Sequence, residues 1–190
     1  MMSERLKQSS QARCWRVQNG FTLIELMVTI AIAATLMMVA VPSFVQFQRN
    51  ARLSDAVSSF ISAANTARAN AMKQGVNTYL VSATGTNWSS GWLVYSDANW
   101  NQIFDEGTEE VVLRHEALGT DLTIITTGAT GGANSLVDGY LMFNGSGYPR
   151  LKNGNFSNGR IEIKTTDRPR TIIFDQVGRV RSCTTGSTGC

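Results

Sequence analysis

The sequence lacks the side-chain patterns on which most enzymes depend. It contains a single histidine, His115, and its three cysteines, Cys14, Cys183 and Cys190, do not have the spacing of a zinc site. It also has no glycine-rich phosphate-binding loop and no recognisable nucleophile turn. A lone histidine at the end of a strand pattern is usually structural or exposed. We therefore expect no catalytic site, no bound metal and no cofactor.

The chain after its first 20 residues also lacks an excess of positive or negative charge. Those residues hold four of the 17 basic and one of the 14 acidic side chains, so the remainder is formally neutral. The remainder is uneven, however. Eight acidic residues and one basic residue lie between Asp97 and Asp138, whereas eight basic and three acidic residues follow from Gly139 onward. A basic end of this kind can present a positive surface to a polyanionic partner.

Charged residues are almost absent from the run between Phe21 and Val45, where Glu25 is the only one. As a helix this run extends ~37 Å at ~1.5 Å per residue, more than the ~30 Å hydrocarbon core of a membrane. The basic residues before it place the N-terminus in the cytoplasm, and the chain after Gln46 beyond the membrane, by the positive-inside rule. The run therefore predicts one membrane-spanning helix.

A Gly-Phe boundary, Gly20-Phe21, precedes the apolar run, whereas a secretory signal is cleaved after its apolar stretch. The sequence GFTLIELMV at this boundary resembles the prepilin-peptidase recognition sequence of type IV pilins and type II secretion pseudopilins. The resemblance implies a leader peptide of residues 1–20 that prepilin peptidase removes after Gly20, and methylation of the new N-terminal Phe21. It also implies an assembly role for Glu25 and Pro42.

Glu25 and Pro42 each support this interpretation on physical grounds. An ionised carboxylate in an apolar run costs ~2.5–3.5 kcal/mol on insertion scales, so a partner is expected. Cleavage after Gly20 supplies one, a cationic α-amine on the same or a neighbouring subunit. Pro42 has no N–H and clashes with the preceding turn, so we expect a kink or local melting near the outer membrane face. The alternative is a plain anchor with an incidental Glu25 and a harmless Pro42.

After Pro42 the apolar residues recur at three- and four-residue steps up to a break at Gly75. One helix is therefore predicted from about Phe21 to Lys73, with residues 21–45 as its transmembrane half and residues 46–74 as its amphipathic half. The predicted apolar stripe consists of Phe44, Phe47, Ala51, Leu53, Val57, Phe60, Ile61, Ala64, Ala67, Ala71 and Met72. Short β-like segments separated by Gly, Asn and Ser clusters fill residues 75–190. They start at Thr78, Gly91, Glu110, Leu122, Tyr140, Arg160 and Arg170. A helix on antiparallel strands makes an α+β head.

The order of features in residues 75–190 resembles the GspH/FimT family of minor pilins. The resemblance rests on the strand at Gly91 that leads into an Asp/Asn-rich loop, the FNGSGYPR turn and the ending IIFDQVGRVRSC. It implies the type IV pilin fold, a long N-terminal helix packed on an antiparallel β-sheet head, with other major and minor pilins as partners. It also implies an inner-membrane protein with a periplasmic head that enters a pilus filament at the cell surface.

The segment GRVR near the C-terminus is the main candidate binding site. In a strand, Arg179 and Arg181 project to the same side ~6.6 Å apart, which suits two successive phosphates. With Gly178 they resemble the motif of FimT-type minor pilins that bind extracellular DNA during natural transformation. The resemblance implies weak, salt-sensitive, sequence-independent binding of double-stranded DNA. Further basic residues offer possible support: Arg150, Lys152, Arg168 and Arg170.

Two alternatives to DNA binding remain. The basic residues could simply keep an edge strand from pairing with other chains. The head could instead bind only other pilins, as a FimU-like minor pilin that primes pilus assembly or a GspH-like pseudopilin of type II secretion.

Cys183 and Cys190 form a pair in a segment that is predicted to lie outside the cytoplasm. A cysteine pair there indicates a disulfide, which would pin a tail that has no core of its own. The alternative is two free thiols on a frayed tail.

The segment DANWNQIFDEGTE has part of the pattern of an EF-hand-type calcium loop. Its carboxylate and amide side chains occupy positions one, three, five and nine: Asp97, Asn99, Asn101 and Asp105. However, Gln102 replaces the turn glycine and Thr108 replaces the bidentate glutamate. A solvated loop rich in Asx turns is therefore expected rather than a metal site.

Overall fold

The structure, a computed structural model, describes residues 20–127, 134–166, 168–188 and 190. One helix, α1 (Leu23–Gln74), precedes all strands in these ranges. The strands are β1 (Thr78–Thr84), β2 (Asn87–Ser96), β3 (Val111–His115), β4 (Thr123–Thr127), β5 (Tyr140–Phe143), β6 (Pro149–Arg150), β7 (Gly159–Lys164), β8 (Pro169–Phe174) and β9 (Val180–Thr184).

Helix α1 begins at Leu23, two residues after the predicted start, because Thr22 caps it. The Thr22 Oγ1 accepts a hydrogen bond from the Glu25 N–H at 3.2 Å, and the Thr22 carbonyl accepts one from the Leu26 N–H. A threonine cap with a glutamate three residues later is a typical helix start. The acidic side chain of Glu25 in the first turn also interacts favourably with the helix dipole.

The first half of α1 is apolar and exposed. An 18-residue window has a mean hydropathy of 2.3 with none of it buried, so its length and composition allow it to cross a membrane. The described residues up to Ser43 belong to one unit, and those from Phe44 onward belong to another. All residues from Leu23 to Gln74 are helical, so the local melting expected at Pro42 does not occur. A proline inside a helix costs about 3 kcal/mol of helix stability, but this cost affects only one turn of a 52-residue helix.

The second half of α1 carries the face that packs against the strands. Its buried residues are Leu53, Ala56, Val57, Phe60, Ala63, Ala64, Ala67 and Ala71. Phe60 contacts Trp88 and Trp92 edge-on, with both pairs of ring centroids 5.4 Å apart. The predicted stripe was too long, because Phe44 and Phe47 at its start are 59% and 67% exposed. Periodicity reports where apolar residues lie, not where strands cover them.

The strands form two antiparallel sheets, not the single sheet that the sequence suggested. Their orders are β3-β2-β1-β5-β6 and β4-β7-β8-β9. One core cluster joins α1 to side chains of both sheets, among them Leu80, Trp92 and Val94 of the first and Ile161 and Ile172 of the second. The two-residue strand β6 was not predicted, since a strand that short has no alternation to recognise.

A second cluster lies on the opposite face of the five-stranded sheet and consists of Tyr79, Leu93, Tyr95, Tyr140 and Met142. Phe104, from the loop between β2 and β3, packs against it with its ring centroid 5.1 Å from that of Tyr95. Phe104 therefore anchors this loop, the Asp/Asn-rich segment, on the sheet, while most of the residues from 98 to 108 are exposed.

Candidate nucleic-acid interface

The GRVR segment begins in the tight turn that joins β8 to β9, and Asp175 organises this turn. The Asp175 carbonyl accepts a hydrogen bond from the Gly178 N–H at 2.9 Å. Its Oδ1 accepts two more, from the N–H groups of Val177 (3.2 Å) and Arg179 (2.9 Å). Gly178 has a φ of 80°, which glycine adopts without the steric cost that other residues meet.

Gly178 has a second role, which depends on Arg68 of helix α1. The Arg68 guanidinium donates to the carbonyls of Gly147 (3.0 Å), Gly178 (3.0 Å) and Val177 (3.1 Å). A Cβ on Gly178 would lie 2.6 Å from the Gly147 oxygen and 3.1 Å from the Arg68 Nε. Arg68 therefore holds the β8–β9 turn against the turn before β6.

Sequence reasoning missed Arg68 because its partners are distant in the chain. They lie between 79 and 110 residues away. The one local signal was an arginine that interrupts a stripe of small residues, next to Ala67 and one turn after Ala64.

Arg179 and Arg181 lie on one face of the four-stranded sheet. Arg181 pairs with Ile173, and the register continues into the turn, where the Asp175 N–H donates to the Arg179 carbonyl at 3.1 Å. Since side chains alternate along a strand, both arginines point away from the face that buries Phe174. The Arg179 side chain is 73% exposed, with its Nε 3.2 Å from the Asp175 Oδ2. An exposed ion pair contributes only ~0–1 kcal/mol, so a phosphate can replace the carboxylate at small cost.

Arg160, which sequence reasoning did not select, belongs to the same face. Ile173 pairs with Arg181 on one side and with Arg160 on the other. The two arginines are therefore two strands apart, about 10 Å between Cα atoms. Alternation with the buried Ile161 predicts that Arg160 points outward, but only the strand register makes it a neighbour of Arg181. Glu162 lies two residues along β7 on the same face and limits the basic patch there.

Arg168 and Arg170 do not lie on the face that carries Arg179 and Arg181. Arg170 pairs with Thr184, at the end of β8 opposite the GRVR turn and about 13 Å along the strand from Phe174. Both arginines line a cavity of ≈ 330 Å³ beside helix α1. The helix residues that line it are Asn50, Leu53 and Ser54.

Arg150 and Lys152 are not on this face either, because both make contacts beside the five-stranded sheet. The Arg150 Cζ lies 3.7 Å from the centroid of the Phe156 ring, and its Nη1 donates to the Gly154 carbonyl at 3.1 Å. The Lys152 Nζ donates to the Gln102 carbonyl at 3.0 Å.

Cys183 and Cys190 are joined by a disulfide, with 5.8 Å between their Cα atoms. The hydroxyl groups of Thr171 in β8 and Thr185 in the closed loop are hydrogen-bonded at 2.8 Å. The chain after β9 is therefore tied back to the sheet that carries Arg179 and Arg181.

The Asp/Asn-rich loop is mostly exposed, as the sequence predicted, and only its ends are buried. Asx turns are present, with the Asn101 N–H donating to the Asn99 Oδ1 at 3.0 Å and the Ile103 N–H to the Asn101 Oδ1 at 2.9 Å. Asp97, however, is completely buried. Within the described residues, no group of three or more His, Cys, Asp or Glu side chains is arranged to hold a metal ion.

His115 contributes to packing. Its ring stacks on that of Trp92 with the centroids 4.0 Å apart, and its Nδ1 lies 2.7 Å from the Glu116 carbonyl oxygen. The contact connects the end of β3 to the core.

The family model of Type II transport protein GspH matches residues 56–178, more than half of the chain. This chain belongs to the GspH family. A second model, the prokaryotic N-terminal methylation motif, matches residues 15–41. The GspH match ends at Gly178, so Arg179, Arg181 and the disulfide lie beyond it. A search of curated proteins found no significant match.

Solved structures similar to this GspH-family chain include a type IV minor pilin and a minor pseudopilin. The type IV minor pilin FimU of Pseudomonas aeruginosa is 18% identical, with 71% of this chain and 90% of FimU covered and a TM-score of 0.53. The minor pseudopilin EpsH of the Vibrio cholerae type 2 secretion system is 10% identical over 72% of this chain and 99% of EpsH, with a TM-score of 0.48. The similarity to FimU confirms the predicted α+β pilin fold. As a member of the GspH family, the chain is a minor pilin or pseudopilin that associates with other pilins, and its apolar helix fits membrane anchoring.

Proposed function

We propose that this GspH-family protein is a minor pilin of a type IV pilus that binds double-stranded DNA for uptake in natural transformation. The observation that supports this proposal is the common face of Arg160, Arg179 and Arg181. These cations are spaced at about 6–10 Å, a scale that suits contacts to successive phosphates. Phosphate contacts read no sequence, so binding would be non-specific.

Such a site would act through many weak contacts. Three arginines neutralise few phosphates, so a single head would bind weakly and lose its DNA as the salt concentration rises. Several heads on one filament, or many sites on one DNA molecule, would raise the effective affinity. Retraction of the filament by other proteins would then move the DNA.

The same proposal includes the processing of the N-terminus. Prepilin peptidase would cleave after Gly20 and Phe21 would be methylated, which the match to the methylation motif supports. Before assembly the chain would cross the inner membrane once, with its head in the periplasm. Glu25 would then pair with the α-amine of Phe21 of the same or a neighbouring subunit in the filament, and the helix region around Pro42 would take part in assembly.

DNA binding can be measured by fluorescence anisotropy, with the full-length protein in neutral detergent and a labelled duplex. We expect the wild type to bind at 50 mM salt, with log K falling against log salt at a slope of about −2 to −3. Arg179→Ala with Arg181→Ala should weaken binding about tenfold or more, and Arg160→Ala should weaken it less. The matched control, Arg168→Ala with Arg170→Ala, removes the same charge from the other end of the sheet and should bind nearly as the wild type does.

Two results would refute the proposal in different ways. An equal loss in both double variants would mean that net charge, not the GRVR face, determines binding. No binding by the wild type at 50 mM salt would exclude DNA as a partner of the isolated protein.

An assembly role is the second candidate, and the exposed Phe44 and Phe47 favour it together with the FimU-like fold. In this case the head would bind other minor pilins and prime assembly, or act as a pseudopilin of type II secretion. A deletion strain complemented with Arg179→Ala and Arg181→Ala distinguishes the two roles. Restored pili without transformation would support DNA binding, whereas loss of pili would support assembly.

A further inference from the structure

Two arginines at the end of the four-stranded sheet opposite the GRVR turn have unpaired side chains. Among the described residues, no hydrogen bond or ion pair involves the guanidinium group of Arg168 or Arg170. Arg52 and Arg179, by contrast, each pair with an aspartate. Two cations near the same cavity are therefore available to a negatively charged ligand.

Strand register directs Arg170 toward helix α1. Arg170 pairs with Ile163 of β7 and with Thr184 of β9, and residues that pair directly in an antiparallel sheet share a face. Ile163 is completely buried and belongs to the core cluster that includes α1. Arg170 therefore lies on the helix-facing side of the sheet, whereas Arg179 and Arg181 lie on the other side.

The connection between β7 and β8 holds Arg168 beside the same cavity. The Thr165 Oγ1 accepts a hydrogen bond from the Arg168 N–H at 3.3 Å, and the Thr165 N–H donates to the Arg168 carbonyl at 3.2 Å. These two bonds fix the backbone of Arg168 directly before β8.

A second cavity, of ≈ 180 Å³, adjoins the cavity of ≈ 330 Å³ that Arg168 and Arg170 line. It is lined by Gln46, Arg49, Asn50, Thr165 and Arg168, so the two cavities share Asn50 and Arg168. We call the two together the α1–β8 groove. Its described lining contains three arginines and no acidic side chain. Guanidinium groups with neutral polar neighbours suit a phosphate.

The groove begins where the apolar run of α1 ends. Gln46 directly follows Val45, the last residue of the run, and Arg49 lies four residues after Val45, about 6 Å along the helix at ~1.5 Å per residue. The headgroup layer on each side of the hydrocarbon core is about 5–8 Å thick. When the run spans the membrane, Arg49 thus lies at the depth of the lipid phosphates.

We propose that the α1–β8 groove binds the phosphate of an anionic phospholipid headgroup. Arg49, Arg168 and Arg170 supply the positive charge, and Asn50 and Ser54 supply neutral hydrogen-bonding groups. The volume admits a headgroup while the acyl chains stay in the membrane. The described lining offers no carboxylate to the ammonium of a zwitterionic headgroup, which favours an anionic one. The proposal rests on the membrane crossing of the proposed function but not on DNA binding.

Native mass spectrometry of the full-length protein in neutral detergent, titrated with phosphatidylglycerol or phosphatidylcholine, tests the groove. We expect the wild type to bind phosphatidylglycerol at least about tenfold more tightly than phosphatidylcholine. Arg168→Gln with Arg170→Gln should weaken phosphatidylglycerol binding about tenfold or more, because both cations near the lipid are lost. Ser54→Glu should also weaken it. This variant keeps both arginines and adds a negative charge at an exposed helix position, where glutamate is well tolerated.

The matched control is Arg114→Gln with Lys164→Gln, which also removes two positive charges. Lys164 lies at the same end of the sheet, but it follows the buried Ile163 and therefore projects to the opposite face. This variant should bind phosphatidylglycerol as the wild type does. Wild-type affinity in both groove variants, or an equal loss in the control, would overturn the proposal.

Two further measurements separate the alternatives. If inorganic phosphate displaces phosphatidylglycerol at equal concentration, the groove binds free phosphate and the lipid assignment is wrong. Incorporation of the wild type into lipid nanodiscs tests the membrane crossing. A wild type that enters nanodiscs but does not prefer phosphatidylglycerol would overturn the groove and leave the crossing intact. Failure to enter nanodiscs would refute the crossing, and the lipid assignment with it.

Discussion

At the scale of single residues, Gly178 combines two independent constraints. Its φ of 80° is one that glycine adopts readily, and its Cα faces the Gly147 carbonyl and the Arg68 guanidinium so closely that no Cβ fits. The motif glycine is thus needed for packing against a neighbouring turn as well as for the turn itself.

Gly178→Ala should lower the free energy of unfolding by about 2–4 kcal/mol, the sum of backbone strain and overpacking. The matched control is Gly186→Ala, since Gly186 has a φ of 84° but nothing within 4 Å of an added Cβ. It should cost only about 1 kcal/mol, the strain alone. Urea unfolding followed by tryptophan fluorescence measures both. Equal losses would show that contact with Gly147 and Arg68 adds nothing.

At the scale of secondary-structure elements, Arg68 connects helix α1 to two turns that are far from it in sequence. Its three hydrogen bonds join the helix to the β8–β9 turn and to the turn before β6. The segment that presents Arg179 is therefore positioned by α1 as well as by its own hairpin.

Arg68→Gln should lower the free energy of unfolding by about 2–3 kcal/mol, because backbone carbonyls lose charged donors at a partly buried site. Arg52→Gln is the matched control in the same helix. Arg52 pairs with Asp121 at 3.2 Å, but its side chain is 60% exposed, and such pairs contribute ~0–1 kcal/mol. Unfolding in urea compares the two variants, and a loss in Arg52→Gln as large as in Arg68→Gln would contradict the role assigned to Arg68.

Strand positions were predictable at this scale, whereas strand partners were not. Alternation identified seven of the strand segments, including those that became β1, β7 and β8, because it depends on adjacent residues. The division into two sheets, and with it the pairing of Ile173 with both Arg160 and Arg181, depends on contacts between distant segments.

At the scale of the whole molecule, the described residues fall into two units. The apolar unit that ends at Ser43 carries the N-terminal methylation motif, and the unit Phe44–Cys190 carries the core, the whole GspH match and the basic face. Under the proposed function, a weak site on the second unit would become useful because the first unit would incorporate many subunits into a filament.

Mass spectrometry of the protein from its host should find Phe21 as a methylated N-terminal residue, with residues 1–20 removed. Gly20→Val should retain the leader, because the peptidase would no longer find glycine at the cleavage position. Glu25→Gln should still be cleaved but should enter sheared filaments less, since it loses the charge that pairs with the Phe21 amine. Incorporation equal to that of the wild type would contradict the pairing.

The sequence by itself determined the apolar half of α1, its amphipathic half, the order of most strands and the family, because these depend on local patterns of apolar and polar residues. Only the tertiary structure decided that Arg160 lies beside Arg181, that Arg68 holds the β8–β9 turn, and that Asp97 and Glu109 are buried. The physical reason is that burial and strand register arise from contacts between segments far apart in the chain, which no local pattern encodes.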